Sequence, residues 1–231
     1  ISSLYQQSLQ PKTLLQQTSL QPYDALINKG NVRHLRPTLY DLLAHRALQY
    51  FKSGDRDLNK PAYAFEITSP QAFALAAQFI KASFPTRDTA SLQYKALLLY
   101  QDLIKFHLSD KNPAALIDVD IDRIEYVYQV SVAEAKDSLY VQALQQLTQQ
   151  YGQTVAVEAW YLLAVHYDRL ASNYQPLQDT THRYERLKAK EILERIVKDT
   201  AQKSEAWANS YNLLREFNTP QFSFQLEKVN V

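Results

Sequence analysis

The chain has 231 residues, a formal net charge of +1, and 46% apolar and 21% charged side chains. That length suffices for one large domain or two small ones with a sizeable core. The balanced charge, with no lysine or arginine cluster, offers no strong field for nucleic acid or an anionic membrane. Only Gly30, Gly54 and Gly152 supply glycine, and cysteine is absent. Glycine-rich phosphate loops and turn-rich β folds are therefore disfavoured, and disulfides, thiolate metal sites and a cysteine nucleophile are excluded. No apolar run approaches the roughly 18 residues of a membrane span, and no signal peptide is visible. The chain starts at Ile1 and contains no methionine, which suggests a piece of a longer polypeptide.

Helical periodicity recurs from end to end. Pro11 suits a first helical position, and a segment from about Tyr23 is expected to stop at Gly30, a C-terminal cap. Thr38 caps a helix running to Gly54. Residues 55–69 read as a loop in which Tyr63, Phe65 and Ile67 alternate with Ala64 and Glu66, leaving room for a short strand. Ser69-Pro70 pairs a cap with a first-turn proline. A long helix over 89–109 presents Leu92, Ala96, Leu99, Leu103 and Phe106. Asn112-Pro113 repeats the cap-and-proline start for a helix whose inner stripe is Ile117, Ile121, Ile124 and Tyr128.

A helix from about Glu134 to Tyr151 stops at Gly152, and the next carries Ala156, Trp160, Leu163, Tyr167 and Leu170 at helical spacing. Residues 172–183, SNYQPLQDTTHR, are the longest polar interruption. Helices follow near 184–200 and 204–217, the last with Ala206, Tyr211 and Leu214 facing inward and Trp207 beside them. Beyond Pro220, Phe222, Phe224 and Leu226 alternate with Ser223, Gln225 and Glu227, the period of a strand. The apolar phase shifts before Val229 and Val231, as at a bulge. AVEAWYLLAVHY (156–167) and AKEILERIVKD (189–199) resemble the two helices of a tetratricopeptide unit, without its glycine and proline landmarks.

Few residues suggest chemistry. In RPTLYDLLAHRALQYF (36–51), Asp41 and His45 stand one turn apart, and Gln49 and Lys52 continue that side. Leu39, Leu43, Ala47, Tyr50 and Phe51 cover the other. One aspartate and one histidine make two ligands, short of a metal site, so this side reads as a narrow wet stripe with a local ion pair. Arg46 falls between Leu39 and Leu42 in the apolar arc, which predicts a structural ion pair or bonds to backbone carbonyls. DVDIDRIEYVYQ spaces Asp118, Asp120 and Asp122 like a calcium loop. Arg123 and Gln129 stand where that loop needs glycine and glutamate. The helical reading makes Asp118, Asp122, Glu125 and Gln129 a wet face. His34, His107, His166 and His182 are scattered, and no hydrolase motif occurs. Asp179, Thr180, Thr181 and His182 are the exposed candidates in the polar insertion, with capping of the following helix the favoured role for its Asp and Thr residues.

LRPTLYDLLAHRALQYF (35–51), KPAYAFEI (60–67), YKALLLYQDLIKFH (94–107), DTTHRYERLKAKEILE (179–194) and SFQLEKVNV (223–231) resemble, in the same order, the N-terminal helical region of very large bacterial alpha-2-macroglobulin family proteins, particularly those of Bacteroidetes. The resemblance implies that a helical region precedes a series of β-sandwich macroglobulin domains in an exported protein of the periplasm or cell surface. It also implies that the parent traps proteases: an exposed bait segment is cut, the molecule rearranges, and some members bond the attacker through a thioester. A thioester needs a cysteine outside this sequence.

The expected fold is all-α. Antiparallel helix hairpins form an α-α superhelix over 1–219, and 220–231 is the first strand of a following macroglobulin-like domain. The expected role is a non-catalytic scaffold or interaction region, with no catalytic, cofactor or metal residues. Its partners are the other domains of the longer chain and, through the parent, target proteases. A free-standing helical-repeat module that binds peptide or protein is the competing reading. An enzyme, such as a metallohydrolase using Asp41 and His45, would need ligands converging from another helix.

Overall fold

A computed structural model describes residues 1–27, 30, 32–54, 60–175, 179–200 and 203–219. Ten α-helices lie among them: α1 (Ser2–Ser8), α2 (Lys12–Gln17), α3 (Leu39–Phe51), α4 (Ala76–Phe79), α5 (Leu92–His107), α6 (Ala114–Val130), α7 (Lys136–Val155), α8 (Val157–Ala171), α9 (Glu185–Lys198) and α10 (Glu205–Asn218). Three of these helices start on a side-chain cap. The Thr38 hydroxyl accepts from the Asp41 N–H while the Asp41 carboxylate accepts from the Thr38 N–H, a reciprocal capping box. Ser91 caps α5 and Ser204 caps α10. The Asn112 side chain accepts from the Ala114 N–H at the start of α6. Gly152 interrupts α7 with φ 73°, a left-handed conformation that a side chain would strain.

The chain divides into two compact units, residues 1–147 and 148–231. In the first, α1 and α2 pack on α3, α3 on α5, and α5 on α6. The link between α5 and α6 spans residues 108–113, short enough to make them antiparallel neighbours. Helix α6 is the most enclosed: Ala115, Leu116, Ile117, Val119, Ile121, Ile124, Tyr126 and Val127 are all buried. Tyr100, Leu103 and Ile104 of α5 are also buried. The 3-10 turn Pro70–Phe73, capped by Ser69, lies against α6.

Three local expectations change here. Tyr63, Phe65 and Ile67 form no strand. Among the described residues the sole β pairing is the isolated bridge Ser19–Thr38. Without a second strand to share hydrogen bonds, a five-residue alternation stays irregular; here the Ile67 carbonyl instead accepts from Ser131 Oγ and the Val132 N–H. The segment at Tyr23 is a 3-10 turn, Gln21–Tyr23, rather than a helix reaching Gly30. Ser69-Pro70 starts a 3-10 turn, with the short α4 after it.

In the second unit α8 packs on α9, α9 on α10, and α10 on α8. Its core is built from Ala156, Ala159, Leu163, Ala164, Ala189, Ile192, Leu193, Ile196 and Ala206. Tyr211 does not face inward; it is 47% exposed, and Ser210 takes the inner position by donating its hydroxyl to the Ala206 carbonyl. Returning its hydroxyl to the preceding turn lets a serine occupy a buried helix position without an unmet donor. The closing strand expected after Pro220 lies outside the described residues.

Candidate functional site

Helix α3 buries Tyr40, Asp41, Ala44, His45, Ala47, Leu48 and Phe51. That stripe contains the pair expected to be wet. Asp41 is fully buried and His45 is 7% exposed, while Arg46 and Gln49 point to solvent. The orientation follows from a partner far away in sequence. Asp41 Oδ1 lies 2.9 Å from His107 Nε2 on α5, and His107 Nδ1 lies 2.8 Å from Asp110 Oδ2. Asp41 Oδ2 meanwhile accepts from the Thr38 N–H at 2.9 Å and from the Thr38 hydroxyl at 2.8 Å. A carboxylate satisfied on both oxygens can sit inside. The Asp41–His45 ion pair and the buried Arg46 are therefore both corrected: the pairing runs between helices, and the arginine needs no partner because it is solvated.

Burial disfavours charge on His107, but the hydrogen bonds it makes to the Asp41 and Asp110 carboxylates, with their charge, outweigh it and raise its pKa above the ordinary histidine value. The neighbouring His45 goes the other way. Burial first, and then the Arg36 guanidinium, lower it to about 4. The His45 Nε2 atom is buried with no hydrogen-bond partner among the described residues.

The Asp118, Asp120 and Asp122 series lies wholly within α6 and splits among three cations. Asp118 faces Arg36 at 3.7 Å. Asp122 accepts from Lys52 Nζ at 2.6 Å and from the Tyr100 hydroxyl at 2.7 Å. Asp120 holds Arg123 at 2.7 Å. Of the expected wet face only Gln129 is open; Asp118, Asp122 and Glu125 are half-buried by these contacts or beside them.

Arg123 was not singled out by its position in the sequence, yet it is completely buried. Its guanidinium donates to the carbonyl oxygens of Ala72 and Ala74, the latter at 3.0 Å, and stacks 4.4 Å from the centre of the Phe79 ring. One cation thus fastens the 3-10 turn, α4 and α6 together. The available signal was an arginine at an i, i+3 spacing from Asp120 inside an otherwise apolar helix.

The remaining candidates do not converge. His34 is exposed, and His166 is buried in α8 with its Nδ1 3.2 Å from Arg169. Asp179 accepts from both the N–H and the hydroxyl of Thr181, which lowers its pKa. This closes a turn ahead of α9 rather than capping it, since Tyr184 occupies the cap position without a side-chain bond. A carboxylate bonds its own backbone two residues on more readily than a helix that starts six residues later. Among the described residues no group of three or more His, Asp or Glu could hold a metal ion, and no helix is long and apolar enough to cross a membrane.

Asp41, His107 and Asp110 superficially resemble a catalytic triad, but the nucleophile's place is taken by a second carboxylate. A triad imidazole has one nitrogen facing its orienting acid and one facing a hydroxyl or thiol; His107 spends both on carboxylates. Two clefts of the first unit, about 100 and about 230 Å³, are lined by neither Asp41, His45 nor His107. No protein-family model, curated protein or solved structure matches the chain.

Proposed function

We propose that this chain is the non-catalytic helical scaffold of an exported alpha-2-macroglobulin-like protein, on the N-terminal side of its β-sandwich domains, and that the parent protein traps proteases. The observation that carries the scaffold reading is the use of buried charge. Asp41, His107 and Arg123 each tie one helix or turn to another, and none of the three clefts described in the first unit is lined by His107. The family reading rests on the ordered series of segments from Leu35 to Val231, and the helical character of the described residues is what such a region needs. Its partners in this reading are the other domains of the same chain and, through them, target proteases at the periplasm or cell surface.

Reading the gene beyond the codon for Val231 tests this directly. A following series of β-sandwich domains supports it, whereas a stop codon immediately after Val231 overturns it. Loss of hydrolytic activity on replacing Asp41 and His45 in the purified chain would overturn the non-catalytic role.

One observation favours a second reading, a free-standing helical-repeat module that binds a peptide or protein. Trp160, Leu163, Ala164 and Tyr167 follow the spacing of the first helix of a tetratricopeptide unit, with alanine in place of its glycine, and Ala189 and Leu193 are buried on the partner helix. A complete reading frame ending near Val231 would support that module.

A further inference from the structure

The seam of α3, α5 and α6 holds two buried histidines whose pKa values shift in opposite directions. His107 has a carboxylate oxygen within 2.9 Å of each ring nitrogen. With both carboxylates ionised it donates from both, which only the imidazolium can do. His45 is neutral, in the field of Arg36, His107, Asp41 and Asp122.

We propose that this seam is a proton-operated latch on the α5–α6 connection: when His107 loses its proton it keeps Asp41 and releases Asp110, freeing residues 108–113. The asymmetry of the two carboxylates decides which contact breaks. A neutral imidazole has one N–H, and its bare nitrogen repels the carboxylate it faces. The Asp41 side chain is fully buried and is held on its other oxygen by Thr38, so stranding it costs the desolvation of a charge. The Asp110 side chain is 40% exposed, and water can replace what it loses. The proton therefore stays on Nε2, and Nδ1 turns from donor to acceptor against Asp110. The Asp110 N–H also closes the turn at the end of α5 by donating to the His107 carbonyl at 3.0 Å, so release of its side chain loosens the start of the connection.

Other charges face this seam: Arg36, against Asp118, and Lys52, against Asp122. Burial raises the Asp118 pKa above the ordinary carboxylate value. The His107 value is raised on folding, so its contribution is complete below the unfolded value of about 6.5 and disappears as pH rises through the folded value. The His45 value is lowered to about 4. Its contribution is complete above about 6.5 and is lost as pH falls towards the folded value. The two arms give a stability maximum near neutrality, and only the alkaline arm operates the latch.

Amide hydrogen exchange on the full chain across pH, corrected for the intrinsic rate, tests this. As His107 titrates, protection of the amides within residues 108–113, of which Pro113 has none, falls about tenfold, while α3 and the body of α6 keep theirs. Asp110→Asn, whose amide can accept from the imidazolium and donate to the bare Nδ1, removes that step. His45→Gln flattens the acid arm of the stability profile and leaves the step at 108–113 in place. Protection of 108–113 that stays flat through the His107 titration, or that falls equally across α3, α5 and α6, overturns the latch, as does an Asp110→Asn variant with an unchanged step.

Discussion

The two units of this chain are both helical, but they secure their helices by different means. Residues 1–147 bury charge: Asp41 on α3 meets His107 on α5, and Arg123 on α6 meets Asp120 and the carbonyls of Ala72 and Ala74. Residues 148–231 bury small side chains and leave their cations at the rim, with Arg195 at 4.5 Å over the Trp160 ring, Lys188 at 5.4 Å over Tyr167 and Arg186 at 5.3 Å over Phe217. A buried ion pair has a direction and a distance, so it fixes one register at a high cost if one partner is removed. Close alanine contacts fix the approach of two helices by shape alone, and they fail by steric crowding.

The sharpest way to break this contrast is Arg123→Met. It strands Asp120 and two carbonyls inside the first unit, and we expect a loss of about 3–5 kcal/mol in denaturant unfolding. Adding Asp120→Leu should restore much of it, because an uncompensated charge costs more than an apolar pair of similar volume. A double variant as unstable as the single one would mean that the carbonyl contacts, not the ion pair, hold α6. In the second unit Ala164→Leu should cost about 1–3 kcal/mol by overpacking the fully buried Ala164, and the loss should be independent of salt. The smallest expected effect is Arg195→Ala. The arginine is exposed, so its place over Trp160 is worth about 0.5–1 kcal/mol, read as a small shift in thermal midpoint.

The parts of the fold that were legible in the sequence are those decided within one turn of chain. Thr38 announces a helix start because a cap needs only a side-chain oxygen and an N–H two or three residues on. Gly152 announces an interruption because it alone tolerates the left-handed backbone there. What was hidden depends on residues distant in sequence. Hydropathy places Asp41 and His45 on the wet side of α3 and Arg46 among leucines. The fold reverses this because His107, 66 positions away, satisfies Asp41 from another helix. Arg123 was hidden for the same reason, its carbonyl partners lying 51 and 49 residues earlier. The alternation at Tyr63–Ile67 also shows the limit of local pattern: period two is present, but the described residues supply no neighbouring strand to pair with it.

The most direct measurement is the charge state of His107. Long-range proton–nitrogen correlation of the imidazoles at pH 7, assigned with His107→Gln, should show both nitrogens of this ring protonated while His45 is neutral. A neutral His107 under those conditions would contradict the doubly held imidazolium, and with it the view that the first unit is joined by buried ion pairs.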